Sequence, residues 1–299
     1  MDKQPCAPMI GADVEQFLVL RPPPAVPGTP EYAEQLAGRR KKREIVPCVG
    51  IIPGTKENPH TFEYYEEGYA VQEDNVMVEW NIPPATHWDA FAESVEQVQV
   101  LVDEYLGEVD PLYCIDYRTH WHEFKPKDLL SPQAQTIGCE PDYDAYLGGK
   151  MRIAPNMAAN NIRTCGGHIH LGGDFQCPDF VAALFAELFI GLAGDTVYPD
   201  RDDPRQQWYG QPGVFRPKPY GIEYRTPNNR WAFDRADVEL AGSYALMCAK
   251  YLTDTDPLEL QAAFRQFPWV KLREYFLGMS PDMNKSALLR RARELGVDL

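Results

Sequence analysis

Residues 165–173 read "CGGHIHLGG", two histidines one residue apart with a double glycine on each side. Side chains of a strand alternate between its faces, so His168 and His170 project together while Ile169 and Leu171 back them on the other side. Gly166, Gly167, Gly172 and Gly173 leave the backbone bare around the pair, which admits close approach of a bulky ligand or an unusual backbone conformation. Two readings of the stretch stand at this point: a ligand-holding strand, or a core strand bounded by ordinary turn glycines.

The same rule of two picks out three other stretches. In "ADVEQFLVL" (12–20), stopped by "RPPP", Asp13 and Glu15 share one face and Ala12 and Val14 the other. In "DNVMVEWNI" (74–82), ended by Pro83 and Pro84, Glu79 and Asn81 are backed by Val78 and Trp80. In "YGIEYRTP" (220–227) Glu223 and Arg225 are backed by Ile222 and Tyr224. Each pair alone reads as a wet edge or a cross-strand ion pair. Four such strands in one sheet, with their apolar backs against helices, would instead gather carboxylates, imidazoles and a guanidinium on one face. Carboxylates so crowded repel one another unless cations compensate them. A carboxylate-rich set with one or two imidazoles suits Mg²⁺ or Mn²⁺, and an arginine facing such ions suits phosphate.

Helical spacing over 87–106 brings Trp88, Phe91, Val95, Val98, Val102 and Tyr105 onto one side. Further helices are expected after Pro178, to about 192, over 234–252, and in shorter pieces after Pro257, ending in "SALLRRAREL" (286–295). A short strand fits "LYCID" (112–116), while 46–60 and 199–219 read as long, functional loops. The expected fold class is α+β, a curved, mainly antiparallel sheet with helices on one face. Residues 1–255 are expected to form the main domain, the one that would carry catalysis if the polar face is an active site, and 256–299 a helical extension packed on it.

Composition narrows the partners. A net charge of −15 over 299 residues opposes nucleic acid and anionic membranes, and "RRKKRE" (39–44) is read as a solvated loop. Seven cysteines without a C-x-x-C pair fit reduced thiols, with Cys165 a buried, inert one, so the expected location is the cytoplasm. No apolar run reaches membrane-spanning length. The second H-x-H, His120 and His122, is read as an exposed loop.

The order D-x-E, a glutamate strand ending in proline, G-G-H-x-H and E-x-R-x-P resembles the catalytic domain of the glutamine synthetase and glutamate–cysteine ligase superfamily. Within it, "GIIPGTKENP", "VEWNIPPA", "IGCEPDYDAY", "CGGHIHLGG" and "YGIEYRTP" are most similar to the carboxylate–amine ligase type 2 group of tailed phages, over roughly residues 10–250. That resemblance implies a glutamine synthetase-like fold and an enzyme that uses ATP and two or more Mg²⁺ or Mn²⁺ ions to join a carboxylate to an amine through an acyl phosphate, in the host cytoplasm if phage-encoded. It implies metal ligands Asp13, Glu15, Glu79, His168 and Glu223, with Asp74 a weaker match. Arg225 would steady the transferring phosphoryl group, Arg216 and Lys218 would form a second clamp on phosphates, and His170 and Lys56 would lie near the nucleotide. Glu79 would hold the metal beside the amino-acid substrate. Substrates would be small-molecule or peptide carboxylates and amines; a homo-oligomer is left open.

Two rival readings compete. A metal-dependent amide hydrolase also opens on H-x-H, but needs further histidines downstream, and none follows His170. A non-catalytic nucleotide-binding member of the same fold would keep the site without turnover.

Overall fold

The computed structural model describes residues 6–22, 27–30, 33–34, 43–62, 68–135, 142–152, 160–193 and 204–279, with isolated positions 287, 290, 293 and 297. Nine strands form its main sheet: β1 (Met9–Gln16), β2 (His60–Thr61), β3 (Ala70–Asp74), β4 (Met77–Asn81), β5 (Asp142–Asp144), β6 (Lys150–Arg152), β7 (Gly167–Gly172), β8 (Val214–Lys218) and β9 (Gly221–Tyr224). Their spatial order is β6-β5-β8-β9-β7-β1-β4-β3-β2, and every neighbouring pair is antiparallel. The four strands with polar pairs therefore lie side by side at the centre, as β9-β7-β1-β4.

Alternation explains why one face is dry. Ile10, Ala12 and Val14 of β1, Val78 and Trp80 of β4, Ile169 and Leu171 of β7, and Ile222 and Tyr224 of β9 are all buried in one core. Against that face pack α1 (Trp88–Val109), α2 (Asp179–Phe189) and α3 (Arg235–Asp254). Asp234 starts α3 by accepting from the Ala236 amide, and Pro178 stands at the N-cap of α2, where its missing N–H costs nothing. The architecture is α+β, with a large antiparallel sheet. Two further helices, α4 (Pro257–Gln266) and α5 (Trp269–Phe276), contribute Leu260, Ala263, Leu272 and Phe276 to the same core. Of "SALLRRAREL" only positions 287, 290 and 293 are among the described residues.

Several elements differ from the expectation. The single strand read over 74–82 is the second arm of a hairpin, β3 and β4. Asn75 makes its turn at φ 59°, a left-handed conformation that asparagine tolerates. The first strand ends at Gln16, and Leu18–Leu20 leaves it for a small sheet with Glu44–Val46 and Tyr113–Ile115. Part of the loop read over 199–219 is β8, with Pro217 within it. His122 is not in an exposed loop: Trp121–Glu123 pairs with Ile162–Thr164, and the imidazole stands edge-on to Phe17 and Phe124. Most of the basic run 39–44 lies outside the described residues; Arg43 forms an ion pair with Asp116.

The glycines of the opening stretch make room for protein rather than for a bulky ligand. A Cβ on Gly166 would lie 2.4 Å from His168 Nε2, and one on Gly167 would lie 2.4 Å from the Asn228 carbonyl oxygen and 2.5 Å from Trp231 Nε1. Gly172 yields its space to Met9, and Gly173 to Thr253 and Phe175.

Candidate functional site

The register of the central strands sets the site. Asp13 stands opposite His168 on β7 and Asn81 on β4, while Glu15 stands opposite Glu79, which in turn faces Gln72. His170 stands opposite Glu223, and Glu223 opposite Arg216. This polar face floors a cleft of about 610 Å³. Asp13, Glu15, Lys56, Asp74, Glu79, His168, Arg216, Lys218 and Arg225 line it, so the structure gathers these expected residues in one place. Glu223 lies beneath the cationic wall with no exposed surface, and His170 lies at the edge, bordering a second, smaller pocket with Tyr220.

The cleft is bipolar. At one end Glu15 and Glu79 oppose each other across β1 and β4, with Asp74 and Glu57 nearby and Lys56 Nζ 3.4 Å from Asp74 Oδ2. Glu79 is held by Gln72 Nε2 at 2.6 Å. Burial, then the nearby Asp74, Asp13 and Glu15 carboxylates, push its pKa well above the usual range, and Lys56 only partly offsets them. Glu15 accepts from the Gly166 amide at 2.5 Å.

The other end is cationic. Glu223 forms an ion pair with Arg225, takes Lys218 Nζ at 2.8 Å and lies 3.4 Å from Arg216 Nη1. Burial works against its ionisation, but Arg225 beside it dominates the attraction and holds the carboxyl at about 2. Arg225 Nε also lies 2.8 Å from Asp142 Oδ1, close but off the line of a hydrogen bond.

Between the two ends sits Asp13, with Oδ1 2.8 Å from His168 Nδ1 and Oδ2 3.1 Å from His170 Nε2. Burial alone would raise its pKa; the facing imidazoles hold it well below the ordinary value. The two histidines differ in their surroundings. His168 is enclosed, with Nε2 3.1 Å from Arg205 Nη2, and burial followed by Arg225 depresses its pKa against the pull of Asp13. A neutral ring that accepts from Arg205 and donates Nδ1–H to Asp13 satisfies both contacts. His170 takes Tyr220 Oη at 2.9 Å on Nδ1, whereas its buried Nε2 makes no aligned hydrogen bond. Ligand atoms of Asp13, His170 and Glu223 all lie within 4.8 Å of one another, a set that fits a divalent ion.

Two residues of the site were not anticipated. Asp142, which buttresses Arg225 and Arg216, belongs to a D-x-D alternation in "PDYDAY" that the rule of two would have found. Arg205, buried against His168 and donating to the Arg225 carbonyl oxygen at 3.3 Å, sits in "DDPRQQ", where nothing in the sequence marks it.

An antiparallel sheet with its dry face on helices, and with acids and bases converging on the other, defines an α+β protein with a cleft that is acidic at one end and cationic at the other. Residues 153–294, the segment that carries β7, β8 and β9, match the family model described as "Phage phiEco32-like COOH.NH2 ligase-type 2". No curated protein matches the chain. Among the described residues no helix is long and apolar enough to cross a membrane.

Proposed function

We propose that the protein is an ATP-dependent carboxylate–amine ligase, forming an amide through an acyl phosphate. The observation that carries the reading is the bipolar cleft, carboxylates at one end and Arg216, Lys218 and Arg225 at the other, on one sheet face. A carboxylate is a poor electrophile. Transfer of the γ-phosphoryl group of ATP to one of its oxygens releases ADP; an amine nitrogen then attacks the acyl carbon and phosphate leaves. Such transfers are catalysed by positioning and by charge placed where negative charge moves, which is what the arginines and Lys218 offer. Arg225 is the best oriented of these, being fixed by Glu223 and Asp142.

Asp13 and Glu223 would hold a divalent ion together with an imidazole, with His170 nearest to a free ligand geometry and His168 also facing both carboxylates at 2.8 and 3.4 Å. Glu15 and Glu79 would hold a second ion. Bound there, Mg²⁺ or Mn²⁺ would neutralise charge on the phosphate oxygens. Lys56 and the 46–60 loop would help to close the cleft and keep water from the acyl phosphate, as would the described part of the 199–219 loop. The net charge of −15 supports small or peptide substrates over nucleic acid. The family's description supports a phage-encoded enzyme.

The test is ADP release with Mg²⁺, ATP and a panel of amino acids and short peptides as acids and amines. Release that needs both substrates supports the ligase. Amide cleavage without ATP would establish the hydrolase, and nucleotide binding without turnover in any pairing would establish the binding member.

A further inference from the structure

Glu187 is the one charged residue of α2 between Val181 and Phe189, a run that is buried throughout. It lies on the helix side of the sheet, beneath β8 and β9, and has no exposed surface. A carboxylate in such a place is costly unless its oxygens are taken up by donors. Here one oxygen, Oε1, gathers three: the Gly213 amide at 2.8 Å, Tyr224 Oη at 2.7 Å and Thr226 Oγ1 at 3.0 Å.

Those three donors are the residues that flank Arg225. Tyr224 precedes it, Thr226 follows it, and Gly213 precedes Val214, whose carbonyl oxygen accepts the Arg225 amide at 3.0 Å. The single Thr226 hydroxyl proton is shared between Glu187 Oε1 and the Gln211 carbonyl oxygen, 3.1 Å from Oγ1. The backbone on both sides of Arg225 is thus pinned to a single oxygen atom across the sheet, while the Arg225 side chain extends into the cleft. We infer that Glu187 is a positioning residue for Arg225, acting through Gly213, Tyr224 and Thr226 without touching substrate. The inference rests on the ligase reading for its consequence on rate, and on the hydrogen-bond geometry alone for its consequence on Arg225.

The experiment compares the wild type with Glu187→Gln and with the triple variant Glu187→Leu/Tyr224→Phe/Thr226→Val. The triple variant replaces the carboxylate by an apolar group and removes both side-chain donors, so the core is left with few unpaired groups. Expected for it are a kcat lower by about tenfold or more, as slight misplacement of a charge-stabilising group produces. KM for ATP should stay within about twofold, and exchange of the Arg225 amide should be about tenfold faster. Glu187→Gln keeps an oxygen acceptor and should retain at least about half of kcat. A triple variant with wild-type kcat, or with lower melting temperature but unchanged kcat per folded molecule, overturns the inference, as does a Glu187→Gln variant as impaired as the triple one. If the wild type itself shows no ATP-dependent turnover, the ligase reading falls. The exchange measurement then decides alone: unchanged protection of the Arg225 amide in the triple variant overturns the positioning role.

Discussion

Replacing Glu187 by glutamine tests the energetics of that buried carboxylate through pH. Burial pushes its pKa up to about 7 from an ordinary 4.5, only partly opposed by donation from Gly213, Tyr224, Thr226 and Tyr146. A carboxyl whose pKa is raised on folding contributes stability that is full below its unfolded pKa and is lost as pH climbs through the folded one. A rise of that size amounts to roughly 3 kcal/mol, most of which disappears between pH 5 and pH 8. In Glu187→Gln that dependence is absent. The amide oxygen can take the position of Oε1, and its NH₂ the side facing Tyr146 Oη, which lies 3.5 Å from Glu187 Oε2. Thermal melts of both proteins from pH 5 to pH 8 should therefore diverge, the variant gaining about 3–5 °C on the wild type at the alkaline end. Taking the difference between the two proteins cancels titration common to both. Parallel profiles would refute the reasoning and mean that Glu187 is ionised at little cost in the fold.

Three further outcomes follow from the site. Mg²⁺ at about 100 times the Kd of the Asp13 site should stabilise the wild type by about 2.7 kcal/mol through that site, and Asp13→Asn, which removes the carboxylate shared by both imidazoles, should remove that share of the rise in melting temperature. Glu79→Gln and Glu223→Gln should each lower kcat by about a hundredfold or more with the far-ultraviolet dichroism unchanged, measured as ADP release; full activity in either removes that residue from the site. Gly167→Ala should destabilise the protein by about 1–3 kcal/mol in urea titration, because the new methyl group would meet the Asn228 carbonyl oxygen and the Trp231 ring.

Much of the site was legible because strand alternation is a strict geometric rule. Asp13, Glu15, Glu79, His168 and Glu223 could be assigned to one face from their spacing, with apolar partners such as Val14, Trp80, Ile169 and Tyr224 marking the other. The hairpin before Glu79 was hidden because its turn depends on the left-handed conformation of Asn75, which leaves no apolar gap between "AVQED" and "MVEWN". The β8 strand was hidden because Pro217 and the surrounding cations look like loop chemistry; they are placed by pairing with β9 and β5. The role of the glycines stays open in the sequence because much of what fills their space, Trp231 and Asn228 for Gly167 and Arg205 beside His168 for Gly166, comes from distant sequence. Glu187 was silent for the same reason: a single acid in an apolar stretch of helix carries no spacing signal, and its donors lie 26 to 41 residues away.

The most direct test of the ligase reading follows oxygen. With substrate acids labelled with ¹⁸O in the carboxylate, Mg²⁺ and ATP, an acyl phosphate delivers one labelled oxygen to the released phosphate, seen as an isotope shift in ³¹P nuclear magnetic resonance alongside ADP. The account predicts labelled phosphate in amounts equal to the amide formed. Amide formation accompanied by AMP and pyrophosphate, or by phosphate without label, would contradict it.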